Sequence, residues 1–154
     1  MDATSLLEAI ARAFDEARLE AVMIGNSAAA LEGAPVTTDD FDFMFRPTRT
    51  NIAKMKSAAL SLGATLTQPE YPISRFYRML NEEVGLQVDM MGEVDGVRSF
   101  ESLRSRAGRV SFGNASLLVA DLRDVIKSKR QAQREKDLAV LPILEETLRL
   151  KGEG

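Results

Sequence analysis

The sequence contains neither cysteine nor histidine. Without cysteine there are no disulfides, no thiolate metal sites and no cysteine nucleophile, which fits a reducing compartment. Without histidine there is no serine–histidine catalysis, no imidazole acid/base work and no His-ligated zinc. A strong charge imbalance is also missing: the net charge is −3 and the pI about 5.1. Nothing in the overall charge draws the chain to nucleic acid or an anionic membrane, so a polyanion must be met by a local patch. No apolar run approaches a membrane span, and the N-terminal "MDATSLLEAIARAFDEARLE" alternates charged with apolar residues, unlike a signal peptide. The expected location is therefore the cytoplasm. The chemistry left available comes from carboxylates, Lys and Arg, hydroxyls and backbone amides.

What is present is a 154-residue chain, 45% hydrophobic, enough for one domain over 1–154 with one substantial core. Ser5 and Glu8 form a capping-box pattern ahead of Leu6, Leu7, Ile10 and Phe14 at helical spacing, which predicts a helix over 5–18. "AVMIG" predicts a buried strand over 21–24, and "NSAAALEG" a short helix capped by Asn26 or Ser27 and closed by Gly33. Residues 40–46 alternate as a strand ended by Pro47, and 50–62 read as a helix closed by Gly63. Further strands are expected at 73–80 and 85–91, then a hairpin turning at Gly113-Asn114, then a helical region from Asp121 to about Arg149, either continuous or interrupted. The pattern is mixed α/β.

The segment "TTDDFDFMF" sets carboxylates among phenylalanines. In a strand, alternate side chains face opposite ways, so Phe41, Phe43 and Phe45 share one face and Asp40, Asp42 and Met44 the other. Asp40 and Asp42 then stand roughly 7 Å apart along the strand, while Asp39 points the phenylalanine way and caps the turn. Two like charges on a rigid face raise each other's pKa unless a cation lies between them. In a chain without His or Cys, that cation is a hard, oxygen-binding ion such as Mg²⁺. The alternative is a solvated polar face on an edge strand. "GLQVDMMG" repeats the device, placing Asp89 opposite Leu86, Val88 and Met90, so Asp89 completes a three-acid cluster if the two strands are neighbours. Upstream, "MIGNSAAALEG" is a strand–glycine–helix passage, whose free amides suit a phosphate. A phosphate cradle beside an acid cluster specifies metal-assisted phosphoryl chemistry. On an unbroken C-terminal helix, Arg123, Lys127, Arg130 and Arg134 form a basic stripe, while Lys129 and Lys136 fall on the apolar side. There they either meet an acidic or phosphate partner or snorkel to water.

The passage "IGNSAAALEGAPVTTDDFDFMF" resembles the signature of the nucleotidyltransferase superfamily, and most of all the small bacterial proteins grouped with AbiEii-type toxins. Gly25, Gly33, Thr38, Asp40 and Asp42 stand at matching positions, as do Asp89 and the segment holding Lys129, Arg134, Lys136 and Asp137. The resemblance implies a nucleotidyltransferase fold, a small mixed sheet flanked by helices with a helical C-terminus. It implies Mg²⁺ or Mn²⁺ as cofactor and a nucleoside triphosphate (NTP) as substrate, with transfer of NMP to a hydroxyl of RNA, a protein or a small molecule. By the same resemblance, Asp40 and Asp42 hold the metals that bind the triphosphate, and Asp89 binds a second metal and helps activate the acceptor hydroxyl. The Gly25–Asn26–Ser27 turn and Thr38 hold the nucleotide, and Lys129, Arg134 and Lys136 contact its phosphates or those of the acceptor. The resemblance leaves open a silent nucleotide-, RNA- or partner-binding member of the fold, a toxin–antitoxin component, and assembly with a partner protein or a second copy. Two departures stand out: Asn26 replaces the motif's second glycine or serine, and Val36 stands where many relatives carry arginine.

Overall fold

The computed structural model describes residues 1–38, 40–69 and 75–153. Asp39, read above as a turn cap, and residues 73 and 74 of the expected strand lie outside the described residues. Helix α1 (Ala3–Ala17) is capped by Asp2, whose carboxylate accepts from the Ser5 amide at 2.8 Å. Ser5 is therefore the third residue of the helix rather than its cap, because Asp2 is the better acceptor one turn earlier. Strand β1 (Ala21–Ile24) is buried at all four residues, and α2 (Gly25–Leu31) follows without a break. Neither Asn26 nor Ser27 caps α2; both lie inside it. Strand β2 (Phe41–Phe45) and α3 (Arg49–Ser61) come next, with β3 (Thr65–Thr67) a short addition that the sequence pattern did not announce.

Strands β4 (Phe76–Asn81) and β5 (Leu86–Met91) form a hairpin, followed by α4 (Phe100–Arg106). Strands β6 (Gly108–Phe112) and β7 (Ala115–Val119) turn at Gly113-Asn114 as expected. The C-terminal region divides into α5 (Leu122–Ala132) and α6 (Glu135–Leu148), separated where Gln133 takes a left-handed φ of 55°. Past α6 the chain continues from Arg149 to a kink where Gly152 takes a left-handed φ of 78°. Among the described residues, no helix is long and apolar enough to cross a membrane.

The strands form one mixed sheet in the order β3-β4-β5-β2-β1-β7-β6. Strand β2 runs antiparallel to β1 and parallel to β5. It is thus a central strand, and the solvated-edge alternative for its aspartates does not hold. Phe41, Phe43 and Phe45 are buried as the alternation requires. Phe43 meets Phe14 of α1 edge-on at 4.9 Å between centroids, and Phe45 meets Tyr77 of β4 at 5.8 Å. These ring contacts anchor β2 on one face and hold its other face in a fixed position. The register then sets Asp42 directly opposite Asp89.

Candidate active site

The face of β2 that carries Asp42 and Met44 opens into a groove of about 1160 Å³. Gly25, Asn26, Thr38, Asp40 and Asp42 line it together with Lys129, Arg134 and Lys136. Residues separated by up to 111 positions therefore converge on one space. Thr38 donates its hydroxyl to the Asp40 carbonyl at 2.5 Å, which ties down the entry to β2. Ser27 and Asp89 do not line the groove. The Ser27 hydroxyl donates to the Ile24 carbonyl at 2.9 Å and accepts from the Asp42 amide at 3.4 Å, so it braces the turn against β2 and has no hand free for phosphate.

Gly25 has a φ of +66°, and a Cβ there would lie 3.0 Å from Asp42 Oδ2. The glycine thus lets the β1–α2 turn close directly over the carboxylate. Gly25→Ala is expected to cost about 1–2 kcal/mol from the left-handed backbone alone, and to displace Asp42 as well. Urea denaturation would measure the first effect and nucleotide titration the second. Asn26 brings an unusual feature, because its Oδ1 is buried with no hydrogen-bond partner among the described residues. An unpaired buried carbonyl oxygen is costly and suits an incoming donor or cation.

Asp42 is the electrostatic centre of the site. Burial, then the charge of Asp89, then that of Asp40 push its pKa up to about 6, against the weaker pull of Lys129 and Lys136. Lys129 is itself only 12% exposed and pairs at 3.4 Å with Asp137, which is 1% exposed. Burial drives the Lys129 pKa down, and the Asp137 charge and hydrogen bond only partly restore it. Burial acts to raise the Asp137 pKa, but the Arg134 hydrogen bond and the charges of Arg134 and Lys129 prevail and hold it below the ordinary value. Arg134 Nε donates to Asp137 Oδ2 at 2.6 Å from just before α6. Lys129 thus has the acidic partner that its position on the apolar side demanded. Lys136 is exposed and sits on the next helix, so the single helical wheel did not describe it correctly.

Asp89 is 7% exposed and is held elsewhere. Arg78 of β4 stands opposite it in register and donates from Nε to Oδ1 at 2.8 Å and from Nη2 to Oδ2 at 3.3 Å. The Gln87 amide adds contacts of 3.4 Å to both oxygens. The expectation of a three-acid cluster is met in strand register but not in the free carboxylates: among the described residues, no group of three or more His, Cys, Asp or Glu is placed to hold a metal ion.

The groove also extends to residues that sequence reasoning passed over. Among them, Arg46 lies over the Phe100 ring at 4.9 Å and pairs with Glu101 and, at 2.9 Å, with Glu20. The available signal was Ser99, which caps α4 through the Ser102 amide ahead of buried Phe100 and Leu103 at helical spacing.

No family model matches the chain, and no curated protein matches it either. Solved structures do. Two structures of the antibiotic-resistance factor ANT(2'')-Ia align with TM-scores of 0.64, at 13% and 14% identity. They cover 96% and 97% of this chain and 87% and 91% of theirs, and the second holds adenylyl-2''-tobramycin. JHP933 of Helicobacter pylori aligns at TM-score 0.53 and 16% identity over 92% of this chain and 64% of its own. A candidate nucleotidyltransferase of the same organism aligns at 0.54 and 15%, over 93% and 68%. The fold is the nucleotidyltransferase fold. A nucleotidyltransferase fold implies a divalent metal, and the residues present fit one in part. Asp40 and Asp42 offer hard oxygen donors on the groove, and burial first, then the charges of Asp89 and Asp40, push the Asp42 pKa up to about 6. Asp89, with both oxygens occupied by Arg78 and Gln87, does not join them.

Proposed function

We propose that the chain is a metal-dependent nucleotidyltransferase that moves NMP from an NTP to an acceptor hydroxyl. The observation that carries this reading is the convergence of Gly25, the Asp40–Asp42 pair and the cations Lys129, Arg134 and Lys136 on one groove. Lys129, Arg134 and Lys136 line the same space and, even with Asp137 paired to the first two, retain net positive charge for a triphosphate. The glycine at 25 lets the turn close over Asp42, which holds that carboxylate at the groove. Asp40 and Asp42 would hold the divalent cation, which when bound neutralises triphosphate charge and the charge on the leaving group. The acceptor oxygen bonds to the α-phosphorus as the bond from that phosphorus to its β-bridging oxygen breaks. Pyrophosphate leaves, and the acceptor proton passes to solvent. The protein's work is largely to position and to stabilise charge.

The groove also takes in Arg46 and Phe100, which gives an acceptor a partly aromatic wall. A hydroxyl-bearing small molecule, an RNA end or a protein side chain suits that space. The test is transfer of α-labelled NTPs, in Mg²⁺ or Mn²⁺, to tobramycin, short RNA or the protein itself. Asp42→Asn is expected to lower transfer roughly 10²- to 10³-fold; undiminished transfer by this variant would remove Asp42 from the mechanism. A second reading, nucleotide binding without turnover, is favoured by Asn26 at the motif position and by the Arg78–Asp89 pair. It predicts nucleotide binding indifferent to Mg²⁺ in calorimetry, where the first reading predicts strict dependence.

A further inference from the structure

Three adjacent strands place Asp42, Asp89 and Arg78 in one row, since Asp42 pairs in register with Asp89 and Asp89 with Arg78. Paired residues share a face of the sheet, so the row reads acid, acid, cation across β2, β5 and β4. The Arg78 guanidinium engages both Asp89 oxygens, and its own Cζ lies 5.5 Å from the Phe76 ring centre on the same strand face. A planar fork on a carboxylate, backed by a ring, is a pre-organised contact rather than a passing one. Asp40 and Asp42 also favour the charge on Arg78, so the guanidinium answers the negative potential of the whole site. Gln87 completes the enclosure of Asp89. With both oxygens engaged and the charge already matched, a metal could reach this carboxylate only by displacing the guanidinium.

We propose that Arg78 is an internal cation standing where a second metal ion would otherwise bind, so that the site takes one divalent cation, on Asp40 and Asp42, and Asp89 positions its neighbours without ligating metal. The inference rests on the metal-dependent reading given above. It assigns Arg78 a role that no motif marks, because the arginine lies on the strand beyond the acid-bearing ones. Arg78 and Asp89 act as a unit of zero net charge beside the metal-binding pair.

The experiment counts Mn²⁺ by electron paramagnetic resonance on the full chain saturated with a non-hydrolysable NTP analogue. The wild-type protein is expected to bind one Mn²⁺ per chain, with no Mn²⁺–Mn²⁺ coupling. The double variant Arg78→Met/Asp89→Asn removes the pair without leaving a lone buried charge, and it is expected to bind one Mn²⁺ within about threefold of the wild-type affinity. Asp89→Asn alone leaves Arg78 unneutralised beside the site, and it is expected to weaken Mn²⁺ binding more than the double variant does. Two coupled Mn²⁺ ions in the wild type, or loss of an ion or a tenfold affinity drop in the double variant, overturns the proposal and leaves metal-dependent transfer standing. No bound Mn²⁺ in the wild type overturns the metal-dependent reading and this inference with it.

Discussion

Replacing Asp137 by alanine is expected to lower the unfolding free energy at pH 7 by about 3 kcal/mol, at the lower edge of what breaking a buried ion pair costs. Asp137 is 1% exposed and holds Lys129, itself 12% exposed, so the variant leaves an ammonium group with little water and only the more distant charge of Asp42 to answer it. Two features keep the loss at that lower edge. Arg134, the second partner, is 62% exposed and can rehydrate. Lys129, whose pKa is already lowered by burial, can shed its proton. Asp137 also lies in the first turn of α6, where a carboxylate favours the helix N-terminus, so the alanine loses that contribution too. In a chain of this size the loss corresponds to a melting point roughly 6–12 °C lower.

The pH dependence of this effect has a definite sign. The folded Asp137 pKa lies below its ordinary value of 3.8, so its contribution is present above that value and is lost as the pH falls through the lower, folded value. The gap between wild type and variant should therefore be full at pH 7, narrow below about pH 4 and close in stronger acid. Lys129→Met/Asp137→Leu should recover most of the stability, because it removes both buried charges together. Urea denaturation at several pH values checks all of this, and a gap under about 1 kcal/mol at pH 7 would show that the pair is not the buried contact its geometry describes.

How much of this was legible in the sequence varies by the range of the interaction concerned. The period of two in "DFDFMF" was enough to assign Phe41, Phe43 and Phe45 to the core and Asp42 to the groove, because strand alternation is a local rule. The opposition of Asp42 and Asp89 depended only on β2 and β5 being neighbours, which they are. The Arg78 contact was not legible. In "RFYRML", Phe76 and Arg78 share a face by the same alternation, but which strand β4 faces is a matter of sheet order, and that is non-local. An interruption of the C-terminal helix was left open, but its place at Gln133 was hidden for another reason. Its left-handed residue is neither glycine nor asparagine, so "QAQRE" carries no ordinary stop signal, and a continuous helical wheel misplaced Lys136. For Lys129 the pattern left an ion partner and snorkelling both open, and Asp137 reaches it only because the chain bends between α5 and α6.

Asp42→Asn is expected to make the metal-free protein more stable while lowering the transfer proposed for it. Folding raises the Asp42 pKa from 3.8 to about 6, so the folded state holds this proton more tightly than the unfolded chain does. The charged form is the one that burial and the neighbouring Asp89 and Asp40 penalise. Its cost is absent below about pH 4, grows as the pH rises through the window up to about 6, and is complete above it. A difference of that size corresponds to on the order of 3 kcal/mol, and an asparagine amide recovers part of it, about 1–2 kcal/mol, since the amide must itself be desolvated. In EDTA at pH 7.5 the variant should melt roughly 2–8 °C above the wild type, and the two should coincide near pH 4. Mn²⁺ with a non-hydrolysable NTP analogue should reverse the order, because a ligand that binds only the folded wild type stabilises it by mass action. Thermal unfolding with and without Mn²⁺ decides the matter: an unchanged melting point in EDTA would mean that Asp42 is not strained, and equal Mn²⁺ stabilisation of both proteins would mean that the cation binds elsewhere. The same carboxylate thus weakens the empty fold and strengthens the loaded one, as expected of a residue kept for binding rather than for folding.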